Sequence, residues 1–264
     1  MKLREILEEL ISKKISLGDA EKKIKLLAIE EVNKIAKLDI NREMRKGIPE
    51  IILAEGKSLK NLIEIISKSL EKNKRVLVSR VKDEQLKVIR KRFLKHVCGI
   101  NETAQLVIIG DKDLKPKKTG GKIGIIAAGT ADIPVAEEAR IVAEEMGCKV
   151  FTAYDVGVAG LHRLFPYLKE MIESDVDCLI VVAGREGALP SVVAGLVDIP
   201  VIGVPTSVGY GLGERGISAL TAMLQSCSLG IAVVNIDAGI AAGSVAALIA
   251  NRVAKFRGKN GLSI

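Results

Sequence analysis

The sequence predicts an α/β protein in two parts, the second a three-layer domain whose parallel sheet is covered by helices on both faces. Three observations carry that expectation. After residue 120, short β-branched apolar runs alternate with helix-length segments rich in Ala, Glu and Leu, the pattern of strands buried on both sides. Glycine divides the chain at the same place, with 19 of 25 lying after residue 120, as strand-to-helix turns require. Aromatic residues are only 3% and Trp is absent, so a hydrophobic fraction of 48% must pack as an aliphatic core.

Taken in order, residues 2–38 are Leu/Ile-periodic with charges between, which predicts two helices broken near Ser16–Gly18, with Ser16 or Asp19 as the cap of the second. Glu50–Ala54 reads as a strand, Lys57–Lys72 as a helix, Arg75–Ser79 as a strand, Asp83–Lys95 as a helix and Gln105–Ile109 as a strand. Together they predict a small βαβαβ unit behind a helical arm. The polar stretch Asp111–Gly121 connects this smaller domain, residues 1–118, to a second spanning 119–264. In the second domain the expected strands are Lys122–Ala128, Lys149–Ala153, Cys178–Val182, Val201–Val204 and Ile231–Val234, with helices such as Asp132–Met146 and Gly239–Lys255. Ligands of such sheets bind beyond the carboxyl ends of the strands, so the loops there are expected to carry the chemistry.

Composition narrows the functional classes. No apolar run reaches membrane-spanning length, and the charged N-terminus has no signal-peptide core, so a cytoplasmic protein is expected. Four scattered cysteines without a C-x-x-C pair read as free thiols, and only two histidines are present, so no metal site is expected. Residues 1–120 carry 29 Lys/Arg against 18 Asp/Glu, whereas the remainder carries 11 against 14. The basic residues alternate with acids at helical spacing and lack interleaved aromatics, so no nucleic-acid partner is expected. A basic domain beside a site can still attract a polyanionic nucleotide.

Four strand-end loops and one turn supply the candidate residues. After the first strand, Gly129 permits close backbone approach, and Thr130 or Asp132 is placed to cap a helix whose N-terminus attracts phosphate; a simply well-capped helix fits equally. After the second, Tyr154, Asp155 and His162 accompany two glycines and Arg163, a set suited to an anionic or ring-containing ligand. His162 taken alone is more often a surface helix residue. After the third come Gly184, Arg185 and Glu186. Glu186 follows a buried strand directly, where a partly desolvated carboxylate suits general acid–base work; an ordinary helix-cap carboxylate is the alternative. After the fourth, Ser207, Gly209 and Gly211 open a glycine-lined ligand loop. Gly211, Gly213 and Gly216 formally match G-x-G-x-x-G, but the dinucleotide fingerprint belongs to the first turn of its unit, so hydride transfer is excluded. Cys227 lies in a polar turn at the amino end of the last strand, where either a small buried residue or a thiolate fits.

Read together, the segments AGREGALP from Ala183, IGVP from Ile202 and AGIAAGS from Ala238 resemble the PurE superfamily of aminoimidazole ribonucleotide carboxylases and mutases. Glu186 stands near that family's catalytic His, and Cys227 appears before the last strand. These departures point away from purine synthesis and toward the LarB branch. Arg42, Arg45, Gly47, Pro49, Glu50, Gly56 and Lys57 are similar to its R-x-x-R-x-G-x-P-E…GK signature, so the resemblance runs from Asp39 to Asn251.

The resemblance implies a PurE/flavodoxin-like fold and carboxylation of the pyridinium ring of nicotinic acid adenine dinucleotide. Phosphoanhydride cleavage would then give AMP and pyridinium-3,5-biscarboxylic acid mononucleotide, an early step toward the nickel-pincer cofactor. It further implies Cys227 as nucleophile, Glu186 as the group handling the ring proton, and the strand-end loops as the substrate site. No tightly bound cofactor is implied; carbon dioxide or bicarbonate is the co-substrate, with Mg2+ as a companion of the diphosphate. A homo-octamer with sites between subunits is the implied assembly. The competing readings are a purine-pathway carboxylase or mutase, which leaves residues 1–120 and Cys227 unused, and a non-catalytic nucleotide sensor.

Overall fold

The computed structural model describes residues 3–27 and 46–260. The chain divides into two compact units, one of residues 1–101 and 105–114, the other of 102–104 and 115–264.

In the first unit, helices α1 (Leu3–Ile11) and α2 (Leu17–Leu27) form a hairpin that buries Ile6 and Ala20. Ser16 is the cap of α2: its hydroxyl accepts the Asp19 N–H at 3.1 Å and donates to the Asp19 carboxylate at 2.7 Å. The remainder of the predicted arm, with Arg42 and Arg45, lies outside the described residues. Then come β1 (Glu50–Leu53), α3 (Leu59–Lys72), β2 (Arg75–Ser79), α4 (Asp83–Arg92), β3 (Val97–Asn101) and β4 (Leu106–Gly110). Helix α3 starts where Ser58 accepts the Asn61 N–H at 3.3 Å, and it buries Leu62, Ile66 and Ser69 along one face at helical spacing.

The expected βαβαβ unit needs correction. The sheet has four strands in the order β1-β2-β4-β3, and only β1 and β2 are parallel. Val97–Asn101 forms an additional strand that turns tightly into β4 through residues 102–105, with Gln105 at φ +49°. So short a connection cannot cross over the sheet, so the two strands must pair antiparallel. Strand β4 consequently runs against β2.

The second unit is the predicted parallel α/β domain, PurE/flavodoxin-like in architecture. Its strands β5 (Lys122–Ala127), β6 (Lys149–Ala153), β7 (Cys178–Ala183), β8 (Val201–Pro205) and β9 (Ile231–Val233) form one all-parallel sheet, ordered β6-β5-β7-β8-β9. Every residue of β7 and β8 is buried, which is why their sequences are continuous aliphatic runs. Helices α6 (Leu164–Glu173), α7 (Leu189–Ala194) and α8 (Ile217–Leu224) cover one face. There Leu164, Leu168, Met171, Val193 and Met223 pack with Ile126, Leu179 and Val181, each fully buried large side chain contributing about 1.5–3 kcal/mol.

Helices α5 (Ile133–Glu145) and α9 (Gly239–Asn260) pair on the other face. A Cβ at Gly243 would lie 2.5 Å from the Ala139 carbonyl oxygen, so the contact between these helices depends on that glycine. At the amino end of the sheet, buried Asp177 accepts the Lys122 N–H at 2.7 Å and pairs with Arg257 of α9 at 2.6 Å. No helix among the described residues is long and apolar enough to cross a membrane.

Candidate active site

The strand order reverses between β5 and β7: from β5 the chain goes to one edge for β6 and returns to β5's other side for β7. Loops leaving such a pair diverge to opposite faces and open a crevice. A cavity of about 510 Å3 lies there, lined by residues 128–132 after β5, 155 and 157–159 after β6, 183–186 and 188–189 at the end of β7 and beyond, and Val208 after β8. That size suits a small ligand. Two strand ends reach the crevice through non-glycine residues in left-handed backbone, Asp155 at φ +58° and Arg185 at +54°, and a third such residue, Asp237 at +55°, follows β9 with its charge near Asp132. Such strain concentrates where side chains must be aimed.

Asp132 ties the loops together and is 4% exposed. Its Oδ2 accepts the Gly129 N–H at 2.9 Å, its Oδ1 accepts the Thr206 hydroxyl at 2.6 Å, and the Gly184 N–H also donates to it. Burial pushes its carboxyl above the ordinary 3.8, opposed by these hydrogen bonds and assisted by the nearby Asp237 charge. The expectation that Thr130 or Asp132 caps the next helix is therefore corrected. Residues Thr130–Asp132 form a short 3-10 turn, and the Asp132 side chain reaches back to Gly129 instead of forward into α5. Gly184 allows this convergence, since a Cβ there would meet the Val208 carbonyl oxygen at 2.5 Å and the Thr206 hydroxyl at 2.6 Å.

Of the predicted residues, the crevice brings together Gly129, Thr130, Asp132, Asp155, Gly184, Arg185 and Glu186. Glu186 faces the cavity but is exposed, so the expected desolvation is absent within one chain: the loop turns outward at Arg185 before the carboxylate is reached. Asp155 is paired with Arg163 at 2.6 Å. Tyr154 does not line the cavity; its hydroxyl donates to Glu137 of α5 at 2.6 Å, and burial pushes its ionisation well upward. His162 is exposed on a 3-10 segment outside the cavity. Ser207 donates its backbone N–H to Asp237 at 2.8 Å, and Gly209 and Gly211 stand in the loop beyond Val208, so none of the three lines the cavity. Thr206 and Tyr210 were not anticipated. Thr206 carried a weak signal, a hydroxyl directly after a buried strand.

Cys227 is exposed in the turn between α8 and β9, four residues before Ile231, at the amino end of the sheet. It does not line the cavity. The neighbouring Ser226 and Ser228 are held by Ser191 of α7, at 2.8 and 2.7 Å. Of the other thiols, burial pushes Cys148 up to about 11 and Cys178 up to about 12, leaving both protonated near neutral pH. Among the described residues no group of three or more His, Cys, Asp or Glu is arranged to hold a metal.

The parallel α/β domain that carries the crevice matches a known family. Residues 122–260, just over half of the chain, match the AIR carboxylase model. The chain belongs to the AIR carboxylase family. This AIR carboxylase-family chain also matches the LarB/PurE-like N-terminal domain over residues 29–111, so the two domains follow one another as the LarB resemblance implied. It is 53% identical to an uncharacterized protein of Methanocaldococcus jannaschii, over 94% of this chain and 96% of that protein. N5-carboxyaminoimidazole ribonucleotide mutases of Thermotoga maritima and Pyrococcus horikoshii are 28% and 31% identical, over 52% and 50% of this chain and 83% and 70% of theirs. Family members with named activities are thus enzymes of the carboxylase and mutase type.

Proposed function

We propose that this protein carboxylates the pyridinium ring of nicotinic acid adenine dinucleotide and hydrolyses its phosphoanhydride, yielding AMP and pyridinium-3,5-biscarboxylic acid mononucleotide for nickel-pincer cofactor synthesis. One observation carries the reading: a LarB/PurE-like N-terminal domain precedes the AIR carboxylase domain in the same chain. The purine-pathway mutases align with only about half of it. Glu186 in the crevice loop and the exposed thiol of Cys227 add chemistry that suits a pyridinium.

A pyridinium ring is electron-poor and does not attack carbon dioxide. Addition of the Cys227 thiolate at ring carbon 4 gives a neutral dihydropyridine, an enamine that is nucleophilic at carbon 5. That carbon bonds to carbon dioxide, and the ring nitrogen becomes an iminium. Glu186 takes the carbon-5 proton, the enamine re-forms, and expulsion of the thiolate restores aromaticity. Water cleaves the phosphoanhydride. In this reading Cys227 reaches the crevice from another copy of the chain, because its own crevice lies at the opposite end of the sheet.

The test is mass spectrometry after incubation with the dinucleotide and carbon-13 bicarbonate. Labelled biscarboxylate mononucleotide with AMP is expected. Turnover of aminoimidazole ribonucleotide in its place moves the protein to the purine branch.

A further inference from the structure

Arg185 is the one cation that lines the crevice among the described residues. The carboxylates beside it have other commitments or other directions. Asp132 is held by Gly129 and Thr206, and Asp155 by Arg163. The Arg185 guanidinium is within ion-pair distance of no described carboxylate; it feels the charge of the adjacent Glu186 and packs on Tyr210, 4.3 Å from the ring centroid. Tyr210 comes from the loop after β8, is 75% exposed, and stands just outside the cavity wall. The same loop holds the backbone of Arg185, whose N–H donates to the Val208 carbonyl at 3.0 Å. Arg185 adopts φ +54°, a left-handed conformation that a long side chain takes up only under constraint.

An exposed arginine ordinarily samples many rotamers. Here one loop fixes it at both ends, by a backbone hydrogen bond and by a ring under its guanidinium. A planar cation held this way at a cavity rim, in ion-pair contact with no described carboxylate, is arranged to receive two oxygens of an anion side by side.

We propose that Tyr210 is a positioning residue that holds Arg185 against the diphosphate of a nucleotide seated in the crevice. Arg185 touches the ligand; Tyr210 acts through it. The inference rests on the reading that the crevice takes a nucleotide, and it names which part of that nucleotide the β7 and β8 loops grip.

Calorimetric titration of the full chain with ADP, and separately with adenosine, tests it without requiring turnover. ADP binds more tightly than adenosine to the wild type. Arg185→Met lowers ADP affinity ~10- to 100-fold, as loss of a charge-assisted pair does, and leaves adenosine affinity unchanged. Tyr210→Leu lowers ADP affinity ~2- to 5-fold, and Tyr210→Phe, which keeps the ring, restores it. In the Arg185→Met background Tyr210→Leu has no further effect, because a positioning residue has nothing left to position. Thermal melts confirm that each variant folds. The proposal is overturned if ADP and adenosine bind alike to the wild type, if Tyr210→Leu costs the same with and without Arg185, or if Tyr210→Phe behaves as Tyr210→Leu. Failure of the labelling experiment with normal ADP behaviour removes the carboxylation reading and leaves this one standing.

Discussion

At the scale of single residues, Asp132 is the crevice carboxylate whose chemistry the fold has altered. Its carboxyl lies above the ordinary 3.8 because burial outweighs three hydrogen bonds. For an acid raised in the folded state, the stability contribution is complete below the unfolded value and is lost as pH rises through the folded one. The thermal midpoint of wild type minus that of Asp132→Asn therefore falls as pH is raised from about 4 toward neutrality. A difference that rises over this interval means that the hydrogen bonds win and the carboxyl is lowered. The two proposed catalytic residues make a separate prediction. Cys227→Ser abolishes carboxylation while keeping the wild-type circular dichroism spectrum. Glu186→Gln lowers kcat more than it raises KM, and a change confined to KM makes Glu186 a binding residue.

Among the elements, the α5–α9 pair gives the sharpest test of packing. An alanine in a helix interior is ordinarily favoured over glycine by about 1 kcal/mol. At Gly243 the sign reverses, because a Cβ would meet the Ala139 carbonyl oxygen at 2.5 Å. Gly243→Ala is expected to lower stability by ~1–3 kcal/mol, read as a lower urea midpoint, and an unchanged or higher midpoint contradicts the close approach. The elements also show what the chain states openly and what it conceals. Strands β5, β7 and β8 were legible because parallel strands buried on both faces are continuous aliphatic runs. The partly exposed edge strands β6 and β9 were legible because short apolar runs alternate there with helix-length segments. Strand β3 was not, since VCGIN is half-buried throughout and carries a glycine at its centre. The turn into β4 lacks an Asn-Gly or Asp-Gly signal, so β4's direction was equally hidden. The crevice followed from strand order alone. The Tyr154–Glu137 bond and the Arg185–Tyr210 stack did not, because each joins side chains from separate elements and neither leaves a spacing in the sequence.

For the whole molecule, the proposed role of Cys227 requires a second copy of the chain, because the thiol does not line its own crevice. Leu224 at the end of helix α8 and Leu229 in the turn after it flank that thiol in the chain and are exposed, Leu229 at 91%, apolar surface of the kind that marks contact with another chain. Static light scattering is expected to give a multiple of the 28.3 kDa chain mass, with carboxylation activity in the oligomer. Activity in a monomeric fraction removes the need for a second copy and requires the thiol to reach its own crevice.

The left-handed residues at the strand ends have a consequence for how this protein can change. Each of Asp155, Arg185 and Asp237 holds a backbone conformation that glycine would adopt more comfortably, at a strain of about 1 kcal/mol or more. Selection for heat resistance alone would favour glycine at Arg185 above the other two, since Asp155 holds Arg163 and Asp237 accepts the Ser207 N–H. It would reach Arg185→Gly readily, and the crevice would lose its cation in the same step. Robustness and ligand capture compete at the same few peptide units in this chain, so the sturdiest variants of the fold should be sought among its least capable binders.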